Sequence, residues 1–153
     1  MGLDMYLSKR HFVKNYDYME PEEKTEIVVL KGNKHVSNIN ISKMSAIEED
    51  VAYWRKFNAL HKWFVENVQD GEDNCKDYWV DREKLQELLS LLKLVIADKE
   101  RADELLPTTE GFFFGGTEYD QYYFDNVNET IQVLEKELAL NDTKCDYYYS
   151  SSW

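Results

Sequence analysis

The 153-residue chain is long enough for a single domain with a buried core. A hydrophobic fraction of 43% with 14% aromatic residues excludes a disordered chain, and a net charge of −12 excludes the basic surface of non-specific nucleic-acid binders. The first ten residues contain no signal-peptide core, no apolar run reaches transmembrane length, and Cys75 and Cys145 lack metal-ligand spacing. These features predict a cytoplasmic protein with reduced thiols and no membrane contact.

Strand patterns open the chain. Residues Leu3 to Leu7 alternate apolar and polar side chains, which is typical of a half-buried strand. Residues 26–30 and 35–41 flank a turn at Gly32 and Asn33, two residue types that tolerate the positive φ of a tight hairpin turn. We therefore expect a β-hairpin in this part of the chain.

A first helix is predicted from Ser45, which forms a capping box with Glu48, to about Val68. On that helix, Asn58 and His61 fall within the apolar face. A buried amide or imidazole without a partner costs about 1–3 kcal/mol. Two interpretations stay open: both side chains are satisfied by the fold, or the helix face opens onto a pocket where they contact a ligand.

Two further helices follow. The second begins at Asp81 as N-cap, with Val80 and Leu85 placed as a hydrophobic staple. The third begins near Thr117 and continues to about Leu140. The apolar stripes predict a shared core that contains Val51, Leu85, Leu88, Leu92, Ile131 and Leu134.

A short Tyr-rich run, Cys145 to Tyr149, predicts a last strand in the C-terminal tail. Strands therefore sit at the two ends of the chain and helices in the middle, so the alternation of a parallel sheet is absent. We predict one α+β domain spanning residues 1–153. Its three-helix layer packs on a small, mainly antiparallel sheet formed by the N-terminal strands, the hairpin and the tail.

The segment from Leu105 to Asp120, here the aromatic–glycine loop, is the most unusual in the chain. It places three consecutive phenylalanines among three of the six glycines. Such a composition combines apolar rings with backbone freedom, and it is typical of a concave site with accessible amide groups. The loop therefore predicts a binding site.

Catalytic motifs are absent from the sequence. It contains no Gly-x-Ser-x-Gly, Walker, Rossmann or His-Glu-x-x-His pattern, and His11, His35 and His61 have no metal-ligand spacing. We predict no catalytic residue, no metal and no cofactor. An enzyme that processes a nucleotide with His61 and Asp120 is retained as a third hypothesis.

Four motifs support a family resemblance: the opening MGLDMYL, the YWRKxNxxHxWF segment at Tyr53, the DNC at Asp73, and LPTTxGFFFG at Leu106 followed by TEYD. Together these motifs resemble a family of small proteins from bacteriophages and prophages, over most of the chain. The resemblance implies a counter-defence factor. Such factors include sponges for the nucleotide signals of Thoeris- or CBASS-type immunity, inhibitors of a defence nuclease, and nucleic-acid mimics.

Two functions are consistent with these features, besides the enzyme kept as the third hypothesis. The first is sequestration of a small nucleotide-type ligand, with rings stacking on a base and Arg55, loop amides and threonines holding phosphate or ribose. The alternative is a protein–protein inhibitor of a host defence enzyme, acting through an acidic, Tyr- and Trp-rich surface in the host cytoplasm. A nucleic-acid mimic is less consistent with acids that are scattered among lysines, and a homo-oligomer stays open. The predicted ligand-binding residues are Trp54, Arg55, Asn58, His61, Thr108, Thr109, Phe112, Phe114, Gly115, Tyr119 and Asp120.

Overall fold

The computed structural model describes residues 2–153 and confirms an α+β fold. Its elements in chain order are β1 (Asp4–Phe12), β2 (Leu30–Lys31), β3 (Lys34–His35), β4 (Ala46–Arg55), α1 (Asn58–Asn67), β5 (Tyr78–Val80), α2 (Arg82–Ala97), α3 (Ala102–Leu105), α4 (Gln121–Ala139) and β6 (Cys145–Ser152). The main sheet has the order β4-β1-β6-β5, and every neighbouring pair is antiparallel. None of the helices in residues 2–153 is long and apolar enough to cross a bilayer.

The sheet has one covered face and one open face. β1 lies between β4 and β6, where Leu7 is paired with Ala52 on one side and with Tyr149 on the other. Met5 and Leu7 are buried, whereas Tyr6 between them is exposed, so the side chains alternate between helices and solvent. Helices α2 and α4 pack on each other, and α4 also contacts β4.

The core lies between this covered face and the helices. Leu85, Leu88, Leu92 and Leu134 are buried as predicted, while Ile131 and Val51 are partly buried and pack against the same cluster. The other buried apolar residues are Leu3, Met5, Leu7, Val13, Trp54, Phe57, Ala59, Leu60, Trp63, Phe64, Val80, Val95, Ala102, Leu106, Tyr123, Val127, Tyr147 and Tyr149.

The first predicted helix is wrong over its N-terminal half. Residues 46–55 form β4, and the helix begins only at Asn58. The strand is hard to recognise because a β-bulge opposite the Leu7/Ser8 step inserts Val51 and breaks its alternation. The expected capping box is absent, since Glu48 pairs with Arg10 of β1.

The other two helices keep their predicted type. Asp81 caps α2 by accepting a hydrogen bond from the Glu83 amide, as predicted. The third helix begins at Gln121 rather than near Thr117, because Asp120 is its N-cap and accepts from the Tyr123 amide. Residues 117–120 therefore belong to the aromatic–glycine loop.

Strand lengths also differ from the prediction. β1 continues to Phe12, and β6 continues past Tyr149 to Ser152. The hairpin turn is confirmed, since Gly32 and Asn33 both have positive φ. Its strands have only two residues each and form a separate two-stranded sheet. The prediction that the hairpin belongs to the main sheet is therefore wrong.

Residues 14–45, here the arm, connect β1 to β4 as an outgrowth from the end of the sheet. At its base the Val13 amide donates to the Ser45 carbonyl at 3.0 Å. The arm is held together locally by the hairpin and by Asn15, which bonds the Thr25 backbone twice. Its exposed large apolar side chains are Tyr16, Tyr18, Val28, Leu30, Ile39 and Ile41.

Candidate functional site

The aromatic–glycine loop is fastened to the fold by one buried side chain. Asn58, at the start of α1, donates to the carbonyls of Phe114 at 3.1 Å and Gly116 at 2.7 Å. Its amide oxygen accepts from the Thr109 amide at 3.0 Å. Each polar atom of this side chain therefore has a partner in the loop, which is the structural interpretation of Asn58.

A second set of bonds closes the loop on itself. The Thr108 hydroxyl donates to the Thr117 carbonyl at 3.0 Å, and its amide donates to the Tyr119 hydroxyl at 3.1 Å. The Tyr119 ring packs edge-on against Tyr123 of α4 with 5.0 Å between centroids. Thr108 and Tyr119 thus join the two ends of the loop.

His61 is buried and belongs to a hydrogen-bond chain that ends at the exposed Trp153. Its Nδ1 is 2.8 Å from the Tyr149 hydroxyl and its Nε2 is 2.9 Å from Asp73 Oδ2. Asp73 Oδ1 accepts from the indole of Trp153 at 3.0 Å. Burial and the nearby Asp73 carboxylate raise the pKa of Tyr149 well above its ordinary value. Both ring nitrogens of His61 are engaged within the chain, so the arrangement braces α1 against β6.

The three phenylalanines of the loop have different environments. Phe112 is 95% exposed, whereas Phe114 packs edge-on against His61 at 5.1 Å and against Trp153 at 6.1 Å. The Phe113 carbonyl accepts from the Leu3 amide at 3.0 Å and so ties the loop to the N-terminus. Only Phe112 offers a whole ring to solvent.

A small pocket lies between the loop and the start of α4. Its volume is about 140 Å³, below the roughly 300–1,000 Å³ of drug-sized ligand sites. Glu118 and Asp120 lie at its wall beside Lys56, and Asp120 already caps α4. These carboxylates disfavour a phosphate there. The lining residues are Lys56, Phe57, Asn58, Thr108, Gly115, Gly116, Glu118, Asp120, Tyr122 and Tyr123.

Gly115 has a specific conformational role beside this pocket. Its φ is +87°, in the region that favours glycine, and a Cβ there would lie 3.0 Å from the Cβ of Lys56. The loop can approach the β4–α1 junction at this position because Gly115 has no side chain.

Trp54 and Arg55 do not join the loop. Trp54 is buried on the covered face of the sheet, where its indole donates to the Thr130 hydroxyl at 2.9 Å. Arg55 is the next strand residue and lies on the opposite face, 4.0 Å from Asp4. On the predicted helix both side chains would lie near the same surface, whereas successive residues of a strand point to opposite faces of the sheet. The structure therefore does not bring these two side chains together with the loop.

The sequence prediction missed several residues around the loop. Lys56, Phe57 and Tyr122 line the pocket, and Asp73, Tyr149 and Trp153 complete the His61 chain. The buried position of Tyr149 follows from strand alternation in β6. The pairing of Trp153 with Asp73 has no local signal, because 80 residues separate them. The third hypothesis paired His61 with Asp120, but the bonds of His61 go to Tyr149 and Asp73.

A buried ion pair stabilises the far end of the sheet. Lys9 is 4% exposed, and its ammonium is 2.6 Å from Glu137 and 3.2 Å from Glu49. The Tyr147 hydroxyl donates to the same Glu137 oxygen at 3.0 Å. Burial lowers the pKa of Lys9, but its bonds to these two carboxylates outweigh burial and raise it above the ordinary value. The cluster is satisfied internally.

The open face of the sheet carries aromatic rings and carboxylates together. Arg10 lies at its centre, 4.0 Å from the Tyr148 ring centroid, paired with Glu48 and, at 2.6 Å, with Asp77. Trp79 is 54% exposed on the same face. We define the open face by the outward residues Asp4, Tyr6, Ser8, Arg10, Glu48, Asp50, Tyr53, Arg55, Asp77, Trp79, Asp146 and Tyr148.

No protein-family model, curated protein or solved structure matches this chain. Among residues 2–153, no group of three or more His, Cys, Asp or Glu side chains is arranged to hold a metal ion.

Proposed function

We propose that this chain is a binding protein that engages a protein partner through the arm and the open face of the sheet. The proposal depends on which exposed side chains in residues 2–153 are not already bonded within the chain. Most of the large exposed apolar side chains are on the arm and along the sheet. The side chains that hold the aromatic–glycine loop are instead bonded to the chain itself. Two pairs of these rings are in contact, Tyr16 with Tyr18 and Tyr6 with Tyr53, each with 5.4 Å between centroids. Contiguous exposed apolar groups favour a protein interaction site.

The arm supports the proposal by its shape and exposure. Tyr18 is 81% exposed, and Leu30 of β2 is more than half exposed. Connections of this length that do not pack on a core are uncommon and usually carry a function or act as linkers. A partner that covers the arm would remove these apolar side chains from water.

The context of the proposal comes from the sequence resemblance to phage and prophage proteins. We place the chain among counter-defence inhibitors, which act by covering a functional surface of a host defence enzyme in the cytoplasm. A net charge of −12 favours a partner with a basic surface. Such a partner would bind nucleic acid or nucleotides through the surface that is covered.

Native mass spectrometry of the chain purified from infected or defence-active bacterial cells tests this function. We expect a retained polypeptide of defined mass. In the matched variant, a short Gly-Ser linker replaces the arm between Val13 and Ala46, and we expect this protein to fold and lose the polypeptide. Phe112→Ser, in the loop, is the control and should retain it. A chain that carries no polypeptide in any such cells contradicts the proposal.

A second candidate function is sequestration of a nucleotide-type ligand at the loop pocket. The observation in its favour is that four of the predicted ligand residues, Asn58, Thr108, Gly115 and Asp120, line that pocket. Its volume of about 140 Å³ fits only part of a nucleotide, so the rest of the ligand would lie outside the pocket. Lys56 is the one basic residue among those that line the pocket, so it would pair with a phosphate there.

Calorimetric titration with nucleotides, including cyclic dinucleotides, tests the second candidate. It predicts saturable binding that Lys56→Met abolishes, whereas Lys62→Met on the flank of α1 leaves it unchanged. Absence of heat with every nucleotide contradicts it. A retained small mass in the native spectrum, without a polypeptide, would favour this function over protein inhibition.

A further inference from the structure

A groove lies at the β1–β4 side of the open face. Its volume is about 390 Å³, and its walls are Tyr6, Asp50, Val51, Ala52 and Tyr53. Tyr6 and Tyr53 are register partners across the two strands, with ring centroids 5.4 Å apart and an interplanar angle of 44°. Tilted rings at this separation form a wall that a flat group can contact.

The groove contains one carboxylate without a partner. Asp50 is exposed and its backbone is paired with Ser8, but its carboxylate makes no hydrogen bond or ion pair with any other residue from 2 to 153. The nearest cation along the strand, Arg55, lies beside Asp4 at 4.0 Å. Asp4 also accepts a hydrogen bond from the Tyr53 hydroxyl, which fixes that ring against the strand. Two rings and a free carboxylate therefore converge where no internal cation is bound.

The same face already binds one guanidinium with the same kinds of groups. Arg10 contacts the ring of Tyr148 and is paired with the carboxylates of Glu48 and Asp77. Both sites combine a tyrosine ring with a carboxylate, and they differ in that the groove lacks the cation. This internal example shows that the face has the chemistry to hold an arginine side chain.

We propose that the Tyr6–Tyr53–Asp50 groove binds the guanidinium of an arginine on a basic surface of the partner protein. The inference rests on the proposed function and names the chemistry that the partner presents. A guanidinium is planar, stacks on aromatic rings and pairs with a carboxylate in a fixed geometry, whereas an ammonium does so less well. A second copy is a poor occupant, because the arm contains no arginine and the open face has more acids than bases.

Titration of the full chain with an oligo-arginine peptide tests the groove, with an oligo-lysine peptide of equal length for comparison. We expect the arginine peptide to bind more tightly by about threefold or more. Asp50→Asn and Tyr53→Leu should each weaken it by about fivefold. Glu129→Gln removes the same charge from the exposed side of α4, and it should change the affinity by less than about twofold.

A second variant separates the groove from a folding defect. Tyr53→Phe keeps the ring and loses only the hydrogen bond to Asp4. It should bind the arginine peptide within about twofold of the parent chain. Equal affinity for both peptides would overturn the proposal, as would a loss with Glu129→Gln as large as that with Asp50→Asn. A concentration-dependent dimer that Tyr53→Leu abolishes would also overturn it, since the occupant would then be a second copy.

Failure of this inference differs from failure of the proposed function. If Tyr53→Leu retains the same polypeptide as the parent chain in the native mass spectrum, the groove is not the contact, and the proposed function still holds. If the parent chain retains no polypeptide, the proposed function itself fails, whatever the peptides show.

Discussion

The aromatic–glycine loop and the arm have opposite relations between sequence and structure. The loop has the composition of a binding site, yet Asn58, Thr108 and Tyr119 join it to the fold and to itself. The arm has an ordinary composition and few contacts beyond itself, and its apolar side chains face solvent. Composition therefore describes which contacts a segment can make. The groups that remain free for a partner depend on which of those contacts the chain itself already makes.

The largest stability change is expected in the main sheet and its helices, here the body, which support the loop. Leu88 of α2 is fully buried in the core. Leu88→Ala should lower the free energy of unfolding by about 2–5 kcal/mol, because the cavity is not refilled. Urea denaturation measures this change, and an unaltered midpoint would contradict the packing described above.

The next effect compares two asparagines. Asn58→Ala removes three hydrogen bonds between a buried side chain and the partly buried backbone of the loop, so we expect a loss of about 2–4 kcal/mol. Asn15 bonds the Thr25 backbone in the same way but lies exposed in the arm. Asn15→Ala should cost less than about 1 kcal/mol of global stability. Equal losses in urea denaturation would mean that the loop is no better fastened than the arm.

Two glycines give a third test. Gly115→Val forces a branched residue to φ +87° against Lys56 and should cost about 1–3 kcal/mol. Gly32→Val in the hairpin turn meets no atom within 4 Å, although its φ is +56°. The backbone strain at position 32 can relax within the arm. The free energy of unfolding of the body, measured by thermal unfolding, should therefore change by less than about 0.5 kcal/mol. A larger effect at Gly32 would show that the arm is part of the cooperative unit.

Alkaline pH gives a fourth test, specific to the body. Burial raises the folded-state pKa of Tyr149 above its ordinary value of 10.0. As the pH rises, the unfolded chain therefore loses this proton before the folded chain does. The contribution of the Tyr149 hydroxyl to the free energy of unfolding is complete below about pH 10 and is lost as the pH rises further. Tyr149→Phe should lower stability at neutral pH by about 1 kcal/mol through the lost bond to His61. Its stability should also decline less steeply above pH 10 than that of the parent chain, and an identical decline would contradict the assignment.

The smallest effect is expected in the arm. Leu30 and Ile41 are exposed, so the double variant Leu30→Ser, Ile41→Ser should change the free energy of unfolding by less than about 0.5 kcal/mol. The same variant should lose the polypeptide retained in native mass spectrometry. A strongly destabilised variant would show that the arm packs on the fold.

Local signals predicted much of this fold. Asp81 at the start of α2, the leucine stripe through Leu88, and the turn at Gly32 and Asn33 all depend on residues close in sequence, and all three are confirmed. β4 was not predictable from alternation, because the bulge at Val51 makes a strand resemble an amphipathic helix. Its pairing with β1 is a long-range contact that overrides the local pattern.

The candidate site was predictable only in part. The loop and the position of Asn58 near it follow from the sequence, but the partners of Asn58 lie 51 to 58 residues further along the chain. The sequence therefore could not decide whether this amide contacts a ligand or fastens the loop. The groove at Tyr6 and Tyr53 was not predicted, since it depends on the register of two strands, one of which was assigned to a helix.

Hydrogen exchange of the intact chain, resolved by residue, measures whether the fold holds the loop while it leaves the arm free. The amides of Thr109 and Phe114, which are hydrogen-bonded within the structure, should exchange far more slowly than most amides of the arm. A loop that exchanges as rapidly as the arm would contradict it, because the loop would then be as free as the arm to bind a partner.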